Sequence, residues 1–268
     1  MLTSLTAETL YIEGPDAIAF AHAQFSSNVT ALGIGHWQFS AWLDPQGRVR
    51  SLFHLARIAD DRLLLLLRGG SAATMTEALR RFVLRARLSL HAAPVRTLID
   101  GAAHPLHEMG SIDDELIFGC GTHSMRAVED AGESSQQWRL TQLREGWPWL
   151  PHSSLDRWLP EALSLLRLQA VAVDKGCYPG QEIVARLHYR GGHKWHLHNL
   201  SLSHPGQAGD TLLIDGREAG HLLDAIVVAD GVEALAVLSD DAAAQAANGR
   251  LDVCKENFVL HLASRWPA

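Results

Sequence analysis

Cysteine is scarce: Cys120, Cys177 and Cys254 are the only three in 268 residues. They are far apart and odd in number. Neither a disulfide framework nor a Cys-x-x-Cys metal site follows, and a reducing compartment fits. Long apolar runs are also missing. Runs such as Leu63 to Leu67, which none exceeds, are strand-sized and too short to cross a membrane. Residues Met1 to Glu8 hold an early acid, no arginine, and no basic region followed by an apolar core. Neither a secretory signal nor a transit peptide is expected there, and the cytoplasm is the expected location. There is no excess of positive charge, the net charge being −7 with histidines neutral. That argues against direct DNA binding through a broad basic surface and leaves only a local basic cleft open. There is no internal repeat and no low-complexity tract. What is present, 47% hydrophobic and 20% charged residues, is the composition of an ordinary soluble globular protein. The length admits two domains or one divided domain.

The patterning mixes helix and strand. Glu8 to Glu13 reads as a strand. Gly14-Pro15-Asp16 is a turn that starts a helix, with Ile18, Ala19, Phe20 and Ala23 on its apolar side. Gly35 to Trp42 alternates as a strand, Asp44-Pro45-Gln46-Gly47 is a turn, and Arg48-Val49-Arg50 opens a partner strand. Arg62 to Leu67 is a strand. Ser71 to Leu84 reads as an amphipathic helix with Met75, Leu79, Phe82 and Val83 facing inward. The stretch Arg81 to Arg87 is basic, either as a solvated helix end, where cations suit the C-terminal dipole, or as part of a ligand cleft. Ile112 to Phe118 reads as a strand, the run from Leu159 to Leu168 as a short helix, and Gln169 to Val173 as a strand. From Trp195 onward short strand-like runs alternate with Gly, Asp and Pro turns. That pattern predicts a small antiparallel barrel, with Asp240 to Asn248 as one helical turn or a loop.

The stretch Lys175-Gly176-Cys177-Tyr178-Pro179-Gly180-Gln181-Glu182 organises the rest. Ile183, Val184 and Leu187 form one stripe of a short helix. Gly180 serves as its N-cap, Glu182 puts an acid at the positive end, and Glu182 and Arg186 stand at i, i+4 in the favourable order. Cys177 therefore precedes a helix N-terminus and lies near the Lys175 cation, and both favour a thiolate. The competing reading is a small buried hydrophobe, the commoner fate of a lone cysteine. His188, His193, His196 and His198 crowd the next segment, with His196 and His198 on one face of a strand. Their spacing matches no metal-ligand pattern, and no metal is expected.

This stretch resembles the signature of the YgfZ family, folate-binding relatives of the glycine-cleavage aminomethyltransferase. There the motif reads Lys-Gly-Cys-Tyr-x-Gly-Gln-Glu, followed by Ala-Arg and Arg-Gly. Lys175, Gly176, Cys177, Tyr178, Gly180, Gln181, Glu182, Ala185, Arg186, Arg190 and Gly191 match. The segments Gly14 to Val29 and Trp42 to Val49, the stretch Phe82 to Leu88 and the motif at Leu143 to Pro148 are also similar to the family. The resemblance implies an α+β, folate-binding aminomethyltransferase-like fold: a ring of α+β subdomains around a channel, closed by a C-terminal antiparallel β-barrel. On this chain the α+β region, as two interleaved subdomains, would be residues 1–195 and the barrel residues 196–268. Tetrahydrofolate or a derivative is the implied cofactor, with Asn28, Tyr178, Gln181, Glu182, Arg186 and Arg190 as binding residues. Cys177 and Lys175 are the implied reactive pair. Iron–sulfur proteins or their assembly machinery are the implied partners, through a role in building or repairing clusters that bears indirectly on tRNA modification.

The chain departs from the pattern at three places. In the related aminomethyltransferases an Asp acts on the folate nitrogen. The matching residue here is Asn28, which cannot take a proton at neutral pH. The glutamate that pairs with the pterin is replaced by Arg144, with Glu145 one residue late. Trp195 stands where an arginine often follows the lysine matched by Lys194. Two rival readings follow. One is a folate-dependent aminomethyl- or methyltransferase, which requires a carboxylate at position 28. The other is a non-catalytic scaffold with Cys177 packed away.

Overall fold

The computed structural model describes residues 5–129, 131, 135, 137–247, 251–253 and 258–267. Cys254 lies outside them. The chain forms two units: Met1–Leu43, Arg50–Arg139 and Gln169–Pro179 make unit 1, and Asp44–Val49, Leu140–Leu168 and Gly180–Ala268 make unit 2. In chain order the strands are β1 (Thr6–Glu13), β2 (His36–Leu43), β3 (Val49–Ala59), β4 (Arg62–Leu67), β5 (Ser89–Gly101), β6 (Met109–Ile112), β7 (Glu115–Gly119), β8 (Ser124–Val128), β9 (Trp195–Leu202), β10 (Thr211–Ile214), β11 (Arg217–Val228), β12 (Gly231–Ser239), β13 (Leu251–Val253) and β14 (Phe258–Arg265). The helices are α1 (Ala17–Gln24), α2 (Ala72–Arg80), α3 (Gln137–Arg144), α4 (Gln181–Arg190) and α5 (Asp240–Ala247). None of those described is long and apolar enough to cross a membrane.

Unit 1 is built on an eight-stranded sheet in the order β2-β3-β4-β1-β5-β8-β7-β6. At its middle, β1 pairs antiparallel with β4 (Leu10↔Leu65) and with β5 (Leu10↔Ala92). Strand alternation sorts the side chains. Leu10, Ile12, Leu63, Leu65 and Leu67 share a core with Phe20 and Ala21 of α1 and with Met75 and Leu79 of α2. Leu64 and Leu66 are also fully buried, on the opposite face, so the leucine run is apolar on both sides. The N-terminal amides of α2 are held by Ser71, whose hydroxyl accepts from Thr74, and by the Glu8 carboxylate, which accepts from Ala72 at 2.6 Å.

Four expectations are corrected here. The helix expected over residues 71–84 ends at Arg80. Beyond it the chain closes i→i−3 turns, Phe82 N–H to Leu79 O and Val83 N–H to Arg80 O. Val83 packs on the core, but Phe82 is 52% exposed. The strand expected over residues 112–118 is two strands, because Asp113 and Asp114 take positive φ and turn the chain between Ile112 and Glu115. The run Leu159 to Leu168 is a series of turns, not a helix. Ser164 and then Gln169 adopt φ of 54°, which no α-helix accommodates. In place of the strand expected over residues 169–173, Gln169 is a turn residue, 170–172 join no sheet and Val173 is a bend.

Unit 2 carries a six-stranded sheet, β10-β11-β12-β9-β14-β13, whose pairs are antiparallel. Residues 217–228 form one long strand, β11, irregular between Leu222 and Asp224. Leu200, Leu202, Val232, Ala234, Ala236 and Leu238 face one core with period two, joined by Ala246 of α5, which is eight residues long. Unit 2 also takes in residues 140–168 and 180–194. Earlier segments join the strands through specific contacts. Arg144 pairs with Glu233, Arg157 with Glu218, and the Arg167 guanidinium lies 4.4 Å from the Trp266 ring centroid.

Candidate functional site around Lys175 and Cys177

A helix ends with orphan carbonyls, and in unit 1 a lysine distant in sequence meets those of α1. Lys175 Nζ donates to His22 O at 2.6 Å, to Ser27 O at 2.9 Å and to Phe25 O. An ammonium has three donors, and these acceptors use all of them. The charge is also favourable at a helix C-terminus. The Tyr178 ring, 6% exposed, lies 4.8 Å from Nζ, a cation–π contact. Burial brings the Lys175 pKa down to about 8. Burial, and then the Lys175 charge, hold the His22 imidazole below its usual range.

The chain on either side is fastened too. Ser26 Oγ donates to Ala170 O at 2.6 Å, Ser26 O accepts from Ala172 N–H at 2.8 Å, and Ser26 Oγ accepts from Ala41 N–H at 3.0 Å. Beside it runs a polar seam. Ser27 Oγ donates to Ser40 Oγ at 2.7 Å, and Gln38 Nε2 donates to Ser27 Oγ at 2.8 Å and to Asn28 O at 3.2 Å. Asn28 is exposed, and its Oδ1 accepts from Thr30 Oγ1 at 2.8 Å. His22, Ser26, Ser27, Gln38 and Ser40 were not predicted as site residues. Alternation in β2 places Gln38 and Ser40 on one face, the one sequence signal that pointed to the seam.

Lys175 and Tyr178 are thus turned inward, while Gly176 and Cys177 are exposed. Cys177 makes no hydrogen bond among the described residues. The lysine was expected to act on the thiol. Its three donors go to carbonyls, and among the described residues none reaches the Cys177 thiol. Cys120, by contrast, is 4% exposed.

The second half of the motif lies in unit 2. Gly180 is the N-cap of α4 at φ 80°, and a Cβ there would come within 2.6 Å of Asp44 O and 2.7 Å of Gly47 Cα. Only glycine fits both that angle and that approach. Val184 is fully buried, and Gln181 is half-buried in the first turn. Glu182, Arg186 and Arg190 line one exposed face at i, i+4, i+8. No ion pair joins Glu182 to Arg186. The structure therefore gathers Lys175, Cys177, Tyr178 and Asn28 in unit 1, and Gln181, Glu182, Arg186 and Arg190 on α4 of unit 2.

Arg144, where the resemblance implies a pterin-pairing glutamate, meets Glu233 through two bonds of 2.8 and 2.5 Å. Glu145 is pushed up by burial, against the pull of Arg167. The imidazole of His196 lies 3.1 Å from Asp240 Oδ1, and its ring centroid is 5.2 Å from that of His193. Among the described residues no group of three or more His, Cys, Asp or Glu is arranged to hold a metal.

The chain is similar to known proteins over most of its length. It is 26% identical to the tRNA-modifying protein YgfZ of Sodalis glossinidius, across 87% of this chain and 82% of that one. It is 27% identical to the tRNA-modifying protein YgfZ of Edwardsiella ictaluri, across 86% and 81%. An uncharacterized protein of Haemophilus influenzae is 24% identical across 70% of this chain and 68% of its own. No family model matches. Among solved structures, the glycine cleavage system aminomethyltransferase T of Bartonella henselae superposes with a TM-score of 0.69, covering 96% of this chain and 83% of that one at 16% identity. The chain is thus similar to the YgfZ proteins over most of its length and has an aminomethyltransferase-like fold.

Proposed function

We propose that the protein is a folate-binding, YgfZ-like factor that supports the assembly or repair of iron–sulfur clusters, and through them tRNA modification, with Cys177 as its reactive group. The observation that carries this reading is the exposed Cys177, held between two inward-fastened residues of a YgfZ-like motif. A clamp of charge-assisted bonds around an otherwise unsupported loop fits a side chain that must be presented in one place. Cys177 serves as an iron ligand or a nucleophile once its proton has passed to solvent. The clients are iron–sulfur proteins or their assembly machinery, in the cytoplasm.

The donor set suits holding a folate rather than acting on it. Asn28 and Gln38 are neutral amides that offer hydrogen bonds to a pterin edge, and neither holds a proton for transfer at neutral pH. Tetrahydrofolate, when bound, supplies reduced ring nitrogens able to carry a one-carbon unit. On α4, Arg186 and Arg190 are exposed cations of the kind that bind an anionic ligand. A conventional aminomethyltransferase is disfavoured by Asn28, which stands where a carboxylate is needed. A pure scaffold is disfavoured by the exposure of Cys177.

Two measurements test the proposal separately. Calorimetric titration with tetrahydrofolate and its one-carbon derivatives should give saturable heat, and silence at millimolar ligand would remove the folate half. In cells lacking the protein, Cys177→Ala should fail to restore iron–sulfur enzyme activity while accumulating as folded protein. Full restoration would remove the thiol half and favour the scaffold.

A further inference from the structure

The connection from α2 to β5 is the most cationic stretch of the chain. Arg80, Arg81, Arg85 and Arg87 fall within eight residues with no acid among them, in a protein of net charge −7. Arg87 is held, its N–H donating to Asp16 Oδ2 at 2.7 Å and its guanidinium 3.5 Å from the same carboxylate. Arg80, Arg81 and Arg85 are exposed, and among the described residues none makes a hydrogen bond or ion pair. Between them Phe82 is 52% and Leu84 is 85% exposed. Single exposed apolar residues are ordinary. Two that are interleaved with three unpaired guanidiniums form a different kind of surface.

The backbone beneath this surface is fixed. Phe82 and Val83 N–H groups close turns onto Leu79 O and Arg80 O at 2.9 and 3.1 Å. Val83 and Leu88 pack against the unit 1 core. Asp16 fastens the far end, and Gly14 lies so close that a Cβ on it would be 2.3 Å from Arg87 O. A loop fastened at residues 82, 83 and 87 that displays three unpaired cations and two apolar tips is partly pre-organised for a partner.

That partner must be a polyanion with apolar faces between its charges. Nucleic acid has this design, with phosphates for the guanidiniums and bases for an exposed ring. RNA supplies unpaired bases that are splayed out and available for stacking. A lipid surface is better met by a continuous apolar face or a long amphipathic helix, and this loop has two isolated tips behind a nine-residue helix. We propose that the loop Arg80–Arg87 is an RNA-binding surface, with Arg80, Arg81 and Arg85 on phosphates and Phe82 stacked on an unpaired base. The choice of RNA rests on the tRNA reading above and adds to it a direct contact, which the route through iron–sulfur clusters does not itself require. The site itself uses neither Cys177 nor folate.

The test is fluorescence anisotropy of the full-length protein with an unmodified tRNA transcript over a range of salt. Replacing Arg80, Arg81 and Arg85 together by Gln removes three phosphate contacts. The slope of log K against log salt should become shallower by about 2, with affinity near 0.1 M salt falling roughly tenfold or more. Phe82→Ala should weaken binding about tenfold and leave the slope unchanged. Arg217→Gln, an exposed cation on β11, should change neither. Three results would overturn the inference: no binding of tRNA by the wild type, an unchanged slope in the triple variant, or preference of the same residues for anionic vesicles or an acidic peptide over RNA. If the loop variants bind like wild type while loss of the protein still leaves tRNA undermodified in cells, this inference fails and the tRNA reading stands. If loss of the protein leaves tRNA modification unchanged, that reading fails, and the anisotropy still decides the loop.

Discussion

Lys175→Met isolates the clamp. Methionine keeps the length and apolar stem of lysine and removes only the ammonium. His22 O, Phe25 O and Ser27 O then lose their donor, and the Tyr178 ring loses its cation. Each buried acceptor left unsatisfied costs about 1–3 kcal/mol, and the cation–π contact adds about 0.5–1. Relief of the buried charge opposes this. A drop in pKa from 10.5 to about 8 corresponds to about 3 kcal/mol. The terms share one group and do not simply add, and a net loss of about 2 kcal/mol is expected at pH 7. Urea unfolding followed by fluorescence reads it as a lower midpoint at unchanged slope. A change below about 0.5 kcal/mol would show that water replaces the ammonium and that no clamp exists.

The pH dependence of the same pair of proteins tests the second half of the argument. The folded-state pKa of Lys175 lies below its unfolded value, so between about 8 and 10.5 the unfolded chain binds more protons. The stability contributed by this group is fully present above the unfolded value and is lost as pH falls through about 8. The stability gap between wild type and Lys175→Met should therefore widen as pH rises from 8 to 10.5, by up to about 3 kcal/mol. Taking the difference between two proteins cancels the other lysines and tyrosines. A gap that narrows instead would mean that the three carbonyls outweigh burial and hold the proton more tightly than water does.

Two further outcomes follow from exposure and burial. Cys177 is exposed and Cys120 is 4% exposed, so a small alkylating reagent followed by mass spectrometry should modify Cys177 first. Equal rates would mean that the loop is closed in solution. Glu161 is 3% exposed, with no partner for either carboxyl oxygen, and burial raises its pKa to about 7. Its contribution is fully present below pH 4.5 and is lost as pH rises through about 7. Glu161→Gln, whose amide stands for the protonated acid, should match wild type near pH 4 and exceed it by up to about 3 kcal/mol at pH 8. Identical stability at pH 8 would place the carboxylate in water.

The parts of the fold that were legible in the sequence are those set by neighbours in the chain. The Asp44-Pro45-Gln46-Gly47 turn and the start of α4 at Gly180 both announce themselves through residues with restricted or unusual backbone angles. The short strand-like runs between Gly, Asp and Pro turns after Trp195 are also legible, and the antiparallel sheet of unit 2 follows from them. Errors arose where periodicity alone had to locate an end. Phe82 fits the apolar stripe of α2, but the helix stops two residues earlier. Ala162, Leu163 and Leu165 are fully buried and read as a helix, because an apolar run carries no record of a positive φ at Ser164.

The clamp was illegible for a deeper reason. Its acceptors are main-chain carbonyls, which every residue possesses, and they lie some 150 positions from Lys175 in sequence. No residue type marks such a site. Proximity in sequence suggested that Lys175 acts on Cys177, two positions away, and the fold sends the ammonium to the end of α1 instead. The motif then divides by direction. Positions 175 and 178 face inward and hold, and position 177 faces outward and is presented. Exposure is the observation that supports reactivity of the thiol. A substitution at Lys175 should affect chemistry at Cys177 only to the extent that it loosens the loop. Lys175→Met can therefore lower stability while leaving the alkylation rate of Cys177 in the folded protein close to wild type, a separation that direct activation of the thiol by the lysine does not allow.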